Sequence, residues 1–196
     1  MRTDVLSFAL GSENRKKVVR TLFEYPKRQW SCSALEDLAK MPHATAYRTL
    51  SGLKDFGILK STKINKKDIL YELVSSPLTK ELERAINIDS IATKKVAKNF
   101  ANKIKSKNIL SVILYGSSVK GAIKPESDID ILVILKKKNK ILEGKILNIA
   151  AEISSEANRT ISAVIMGIKK MRKEKNSAFV QSVIENMELL YGKKPF

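Results

Sequence analysis

The stretch from Ile109 to Leu135 constrains this chain most. It reads ILSVILYGSSVKGAIKPESDIDILVIL. The runs ILSVIL and ILVIL have the length of buried strands. The first strand ends in Gly116-Ser117, and the second opens with Asp128 and Asp130 after a short polar loop. Side chains alternate along a strand, so Asp128 and Asp130 point to one face. Two carboxylates on one face suit a hard divalent cation such as Mg²⁺, which takes oxygen ligands and keeps a triphosphate as co-ligand. Gly116 and Ser117 have little side-chain bulk. Their backbone N–H groups could lie close to phosphate oxygens, and a helix starting there would add its positive end.

Gly116, Ser117, Asp128 and Asp130 stand as G-S-x10-D-x-D. This spacing resembles the signature of the DNA polymerase β superfamily, and its short form resembles the minimal nucleotidyltransferases. The resemblance covers about residues 92–192. Residues 176–192, NSAFVQSVIENMELLYG, are similar to the closing helix of those domains, which ends in Leu-Tyr-Gly. The resemblance implies transfer of a nucleoside monophosphate from a Mg²⁺-bound triphosphate to a hydroxyl. Asp128 and Asp130 would be the catalytic and metal-binding residues, and Gly116 and Ser117 would bind the nucleotide.

Enzymes of that superfamily carry a third carboxylate on the next strand. Here the corresponding stretch is Thr160–Met166, and it contains no acid. The position similar to the third aspartate is Ser162, or Ala163 if the register shifts by one. Glu156 lies nearby in sequence, in the last turn of the preceding helix. With two carboxylates one Mg²⁺–nucleotide can bind, but activating an incoming hydroxyl is harder.

The chain of 196 residues carries a net charge of +17. Residues 1–75 hold 14 Lys/Arg against 8 Asp/Glu, and residues 76–196 hold 23 against 12. Either half is therefore suited to a polyanionic partner. Lys136-Lys137-Lys138 also reads as a solvated turn after a strand. The single Cys32 excludes an internal disulfide and fits a reducing cytoplasm. Arg2, Asp4 and Glu13 interrupt the start, so no signal peptide is expected, and no apolar run reaches the length of a membrane span.

The N-terminal half reads as helices followed by a hairpin. Residues 12–25 carry Val18, Val19, Leu22 and Phe23 at helical spacing after Ser12. A short helix at 33–40 has Ser33 and Glu36 in capping-box order. A third, at about 43–56, buries Ala46, Leu50, Leu53 and Phe56 and stops at Gly57. Ile58–Ile64 and Ile69–Val74 flank a basic tip at Asn65–Asp68. The run ATAYRTLSGLKDFGIL (44–59) resembles recognition helices of winged-helix transcription regulators. The resemblance implies binding of double-stranded DNA. His43, Thr45, Tyr47, Arg48 and Lys54 would face the groove or its phosphates, and Lys66 and Lys67 would reach the flanking backbone.

Past Pro77, residues 78–105 place Leu82, Ile88, Ala92, Val96, Phe100 and Ile104 mostly four apart. That spacing predicts one long helix, or two with a break near Asn87–Ser90. The expected fold class is α/β (α+β). An N-terminal winged helix-turn-helix (1–76) is joined by a linker helix region (77–106) to a nucleotidyltransferase-like mixed sheet flanked by helices (107–196). The expected protein is cytoplasmic, with a nucleotide, a protein partner or a second copy of itself as further partners. Two alternatives stand beside the transferase: an inactive, nucleotide-sensing transcription regulator, and an antitoxin paired with a helical toxin.

Overall fold

The computed structural model describes residues 4–65, 68–119 and 127–195. Lys66, Lys67 and most of the loop between Ser117 and Asp128 lie outside the described residues. The chain divides into two compact units, Met1–Ile88 and Asp89–Phe196.

The first unit runs α1 (Val5–Leu10), α2 (Glu13–Glu24), α3 (Cys32–Ala39), α4 (His43–Asp55), β1 (Leu59–Lys63), β2 (Ile69–Leu73) and α5 (Pro77–Ile86). Its core gathers Val18, Val19, Leu22, Trp30, Leu35, Leu50 and Leu53, each at most 1% exposed. Each aliphatic side chain so buried contributes roughly 1.5–3 kcal/mol. Strands β1 and β2 pair antiparallel from Leu59↔Leu73 to Lys63↔Ile69. Trp30 adds a further bridge to Tyr71, with N–H···O distances of 2.8 and 2.9 Å in the two directions. This is the winged helix-turn-helix order expected from the sequence.

Three local details differ from that expectation. Helix α1 was not visible in the sequence, because six residues are too few for a clear period. Its Phe8 ring is seated where a Cβ on Gly52 of α4 would stand, and Arg15 lies over that ring at 4.4 Å. The cap of α3 is Ser31, not Ser33: its extended backbone lets its Oγ accept from Ala34 N at 3.1 Å. Glu36 does not reach back to that cap but pairs with His43.

The break after Pro77 falls at Asn87, so α5 and α6 (Ile88–Lys103) are separate helices. Leu82 and Ile86 of α5 join the first core, whereas Ala97, Phe100 and Ala101 of α6 join a core in the second unit. The four-apart stripe is buried only in part: Val96, Phe100 and Ile104 join the second core, while Ile88 and Ala92 are exposed. Four residues turn about 400°, so each step drifts about 40°. Ile88 is therefore exposed, and the buried face is Thr93, Ala97, Phe100 and Ala101.

The second unit continues with β3 (Ile109–Tyr115), β4 (Ile129–Leu135), α7 (Lys140–Ala157), β5 (Ile161–Gly167), α8 (Ile168–Lys173), α9 (Ala178–Glu185) and β6 (Met187–Gly192). The strands form a mixed sheet in the order β5-β4-β3-β6. β3 pairs antiparallel with β4 and β6, while α7 carries the chain over to β5, parallel to β4. One face packs on α6 and α7 through Phe100, Ile146 and Ile153. The other packs on α8 and α9 through Met171, Val180 and Val183.

The closing segment is a helix only as far as Glu185. Leu190-Tyr191-Gly192 belong to β6, paired with β3. A register shift between Val112 and Ile113 lets both sides of β6 bury apolar groups. Met187 and Leu189 join one core, and Leu190 and Tyr191 the other. The edge of β3 needs a hydrogen-bonding partner, and a continued helix could not supply one.

Gly192 anchors that edge. Its φ is +87°, and a Cβ there would lie 2.0 Å from the Leu110 carbonyl oxygen. Gly192→Ala is expected to lower stability by roughly 2 kcal/mol or more, since strain and a backbone clash act together. Urea unfolding of the full chain checks this; an unchanged midpoint would refute the β3–β6 register.

Candidate nucleotide and metal site

The site grows from the end of β3 and the start of β4. After Tyr115 the chain makes one 3-10 turn, Gly116–Ser118. The helix start expected at Gly-Ser is described only as far as Val119, and residues 120–126 lie outside the described residues. Gly116 has φ +75°, and a Cβ there would lie 2.6 Å from Oδ2 of Asp130. Glycine is required twice over: for the backbone angle and to let the chain lie against the carboxylate. Ser117 is exposed, whereas Ser118 is fully buried with its hydroxyl 3.5 Å from the Asp128 carbonyl.

Asp128 stands exposed just before β4, and Asp130 is half-buried within it. The parallel register pairs Asp130 with Ser162, so Ser162 is the residue on β5 beside the acid pair, and Ala163 pairs with Ile131. Glu156 lies in the last turn of α7, 3.8 Å from Lys103 Nζ. Among the described residues no cluster of three or more His, Cys, Asp or Glu could hold a metal.

Burial first, and then the Asp128 charge, push the Asp130 carboxyl above its usual range. Tyr115 precedes the turn, with its ring edge-on to Phe179 at 5.6 Å. Burial and then Asp130 push its hydroxyl up as well. Like charges held close on a partly buried strand end are stabilised by a cation.

Arg159 is a part of the site that no motif announces. Its Nη2 donates to the Ser127 carbonyl at 2.9 Å, and its Nη1 donates to the Thr93 hydroxyl. Thr93 is itself fully buried and donates to Asp89 O at 2.7 Å. The guanidinium thus ties the residue preceding Asp128 to α6 and fixes where β4 begins.

A family profile described as Polymerase beta, Nucleotidyltransferase matches residues 94–196. The chain belongs to the polymerase beta nucleotidyltransferase family. Members generally use a divalent metal with a nucleoside triphosphate. The chain is also 29% identical, over 100 residues, to the "Putative protein adenylyltransferase MJ0604" of Methanocaldococcus jannaschii. That match covers 50% of this chain and 96% of the relative. Among solved structures, the AntR antimony-specific transcriptional repressor is 20% identical, with a TM-score of 0.38, over 46% of this chain and 78% of its own. A toxin-antitoxin structure with AMP-PNP is 20% identical, with a TM-score of 0.35, over 50% and 74%.

On the first unit, His43, Tyr47, Arg48 and Lys54 of α4 are exposed, while Thr45 is half-buried. His43 Nδ1 lies 2.8 Å from Glu36 Oε2, so it already has a partner. Arg48 makes no ion pair or hydrogen bond among the described residues. Among those residues no helix is long and apolar enough to cross a membrane.

The raised Asp130 carboxyl has a stability consequence. A raised folded-state value means that folding favours the protonated form. The contribution is fully present below the unfolded value of about 4 and is lost as pH rises through the folded value. At neutral pH, without metal, the ionised group therefore destabilises the fold. Asp130→Asn should raise the Tm in EDTA at pH 7, and the difference should shrink as pH falls towards 4. Melting curves across that range check it; a gain that does not depend on pH would contradict it.

Proposed function

We propose that residues 107–196 bind a nucleoside triphosphate with Mg²⁺ at Asp128 and Asp130, and that residues 1–76 bind double-stranded DNA, with 77–106 joining them. The observation that carries the first part is the backbone of Gly116 against the Asp130 carboxylate, with Ser162 as register neighbour. The donor set fits one hard cation, since two carboxylates leave coordination positions for phosphate oxygens. When bound, Mg²⁺ would neutralise charge on the phosphates and on the leaving pyrophosphate. Gly116 and Ser117 offer bare backbone to the phosphates, and Arg159 holds the strand start that presents Asp128.

Membership of the family and the name of the archaeal relative support nucleotidyl transfer as the reaction type. In that step the acceptor oxygen attacks the α-phosphorus, the bond to pyrophosphate breaks, and the acceptor proton leaves to solvent or a base. Ser162 stands beside the acid pair with a neutral hydroxyl, so the site has less charge for a second cation. Nucleotide binding without efficient turnover, in the manner of a sensor, is the reading this favours.

Calorimetry with ATP and Mg²⁺ tests the site. The double change Asp128→Asn, Asp130→Asn should abolish metal-dependent binding, and equal affinity in both proteins would remove the assignment. With labelled triphosphate, wild-type transfer should be weak and Ser162→Asp should raise metal affinity and any turnover. Robust wild-type transfer would show that another chain or the substrate supplies the missing ligand.

DNA binding is supported by the exposed side chains of α4 and the excess of positive charge. Binding should fall steeply with salt. Arg48→Ala should cost roughly 1–3 kcal/mol if the guanidinium grips a base edge in two places. A full chain with no salt-sensitive affinity for duplex at low ionic strength would refute this part.

A further inference from the structure

At the carboxyl ends of the parallel strands β4 and β5 lies a cavity of about 480 Å³. It is at the opposite end of β4 from the acid pair. Asp130 and Lys136 are six residues apart, on the order of 20 Å along a strand. Lys136, Lys137 and Lys138 line it after β4, and Lys169 and Lys170 line it after β5. Ile165, Met166 and Ile168 give it an apolar wall.

The lysines are not paired off. Lys170 has Glu174 at 3.7 Å, but among the described residues the other four make no ion pair. Glu143 is the acid in the lining. The lysine run is also held in place rather than left as a loose turn. Asn108 accepts from Lys136 N through its carbonyl at 2.8 Å. Its Oδ1 accepts from Lys137 N at 3.0 Å, and its Nδ2 donates to Lys137 O at 2.9 Å. Gly167 opens the floor: a Cβ there would meet nothing within 4 Å.

We propose that this cavity is a second nucleotide site, which takes a free nucleoside triphosphate without a metal. Ammonium groups converging on a concavity bind phosphate as point charges. The volume lies within the roughly 300–1,000 Å³ of small-molecule sites, and the apolar wall suits a base and ribose. A nucleic-acid backbone needs a charged surface, not an apolar recess. A single acid in the lining gives no cation cage, so the lysines themselves neutralise the phosphates.

Equilibrium dialysis of the full chain with labelled ATP in EDTA tests this at low salt. Saturable binding is expected, unchanged by Asp128→Asn, Asp130→Asn, which separates this site from the acid pair. Lys136→Ala, Lys137→Ala, Lys169→Ala together should weaken it at least tenfold. Gly167 is the N-cap of α8 with φ −77°, where Asp and Asn are both favoured residues. Gly167→Asp should therefore fold, and it should weaken ATP at least tenfold, whereas Gly167→Asn should weaken it far less. Adenosine, which lacks the phosphates, should compete far more weakly than unlabelled ATP. Absence of binding in EDTA, wild-type affinity in Gly167→Asp, or loss of binding in the acid-pair variant would each overturn the proposal. So would a single-stranded oligonucleotide that binds through these lysines when ATP does not.

Discussion

Burial of β4 on both faces is the constraint on which the second unit depends. Ile129 and every residue from Ile131 to Leu135 are fully buried. Such a strand must be central, with neighbours on both edges and helices on both faces. β3 and β5 satisfy its edges, and the α6–α7 and α8–α9 layers cover its faces. The ends of a strand so held are well-defined points in space. One end presents Asp128 and Asp130; the other releases the chain as Lys136-Lys137-Lys138.

The two ends are chemically opposite. At the first, carboxylates are brought together and partly desolvated, with a glycine backbone pressed against one of them. At the second, lysines collect around a recess with one acid in its lining. Each arrangement is unfavourable alone, and each is relieved by a ligand of opposite charge. Separating them along one rigid strand keeps their charges from cancelling. On the two proposals made above, a nucleotide would be recognised by different chemistry at each end: through a cation at one, and directly by ammonium groups at the other.

Legibility in the sequence followed the range of the interactions. The G-S-x10-D-x-D spacing is visible in one stretch of sequence, whereas the approach of Gly116 to Asp130 is seen only in the structure. The apolar runs, the α4 stripe and the β1–β2 hairpin were equally readable, because each rests on a period within one element. The closing segment was misread because MELLYG suits either a helix or a strand alone; its strand state comes from the open edge of β3. The α6 stripe was readable in its second half, where Val96, Phe100 and Ile104 join the core, but not at Ile88 and Ala92, because a spacing of four drifts around a helix. Arg159 had no signal, since its partners Thr93 and Ser127 are far away in sequence.

By itself the sequence determined the element types other than α1 and β6, the acid pair and its turn, and the lack of an acid on the strand at Thr160–Met166. These depend on residue chemistry and on spacing along one continuous stretch of chain. Only the tertiary structure decided that Ser162, not Ala163, faces the acid pair, because register is a relation between strands. It alone gathered Lys136–Lys138 with Lys169 and Lys170, two segments about thirty residues apart in sequence. The crossover of α7 makes β4 and β5 parallel, so their carboxyl ends, and the lysines that follow them, meet at the same edge of the sheet.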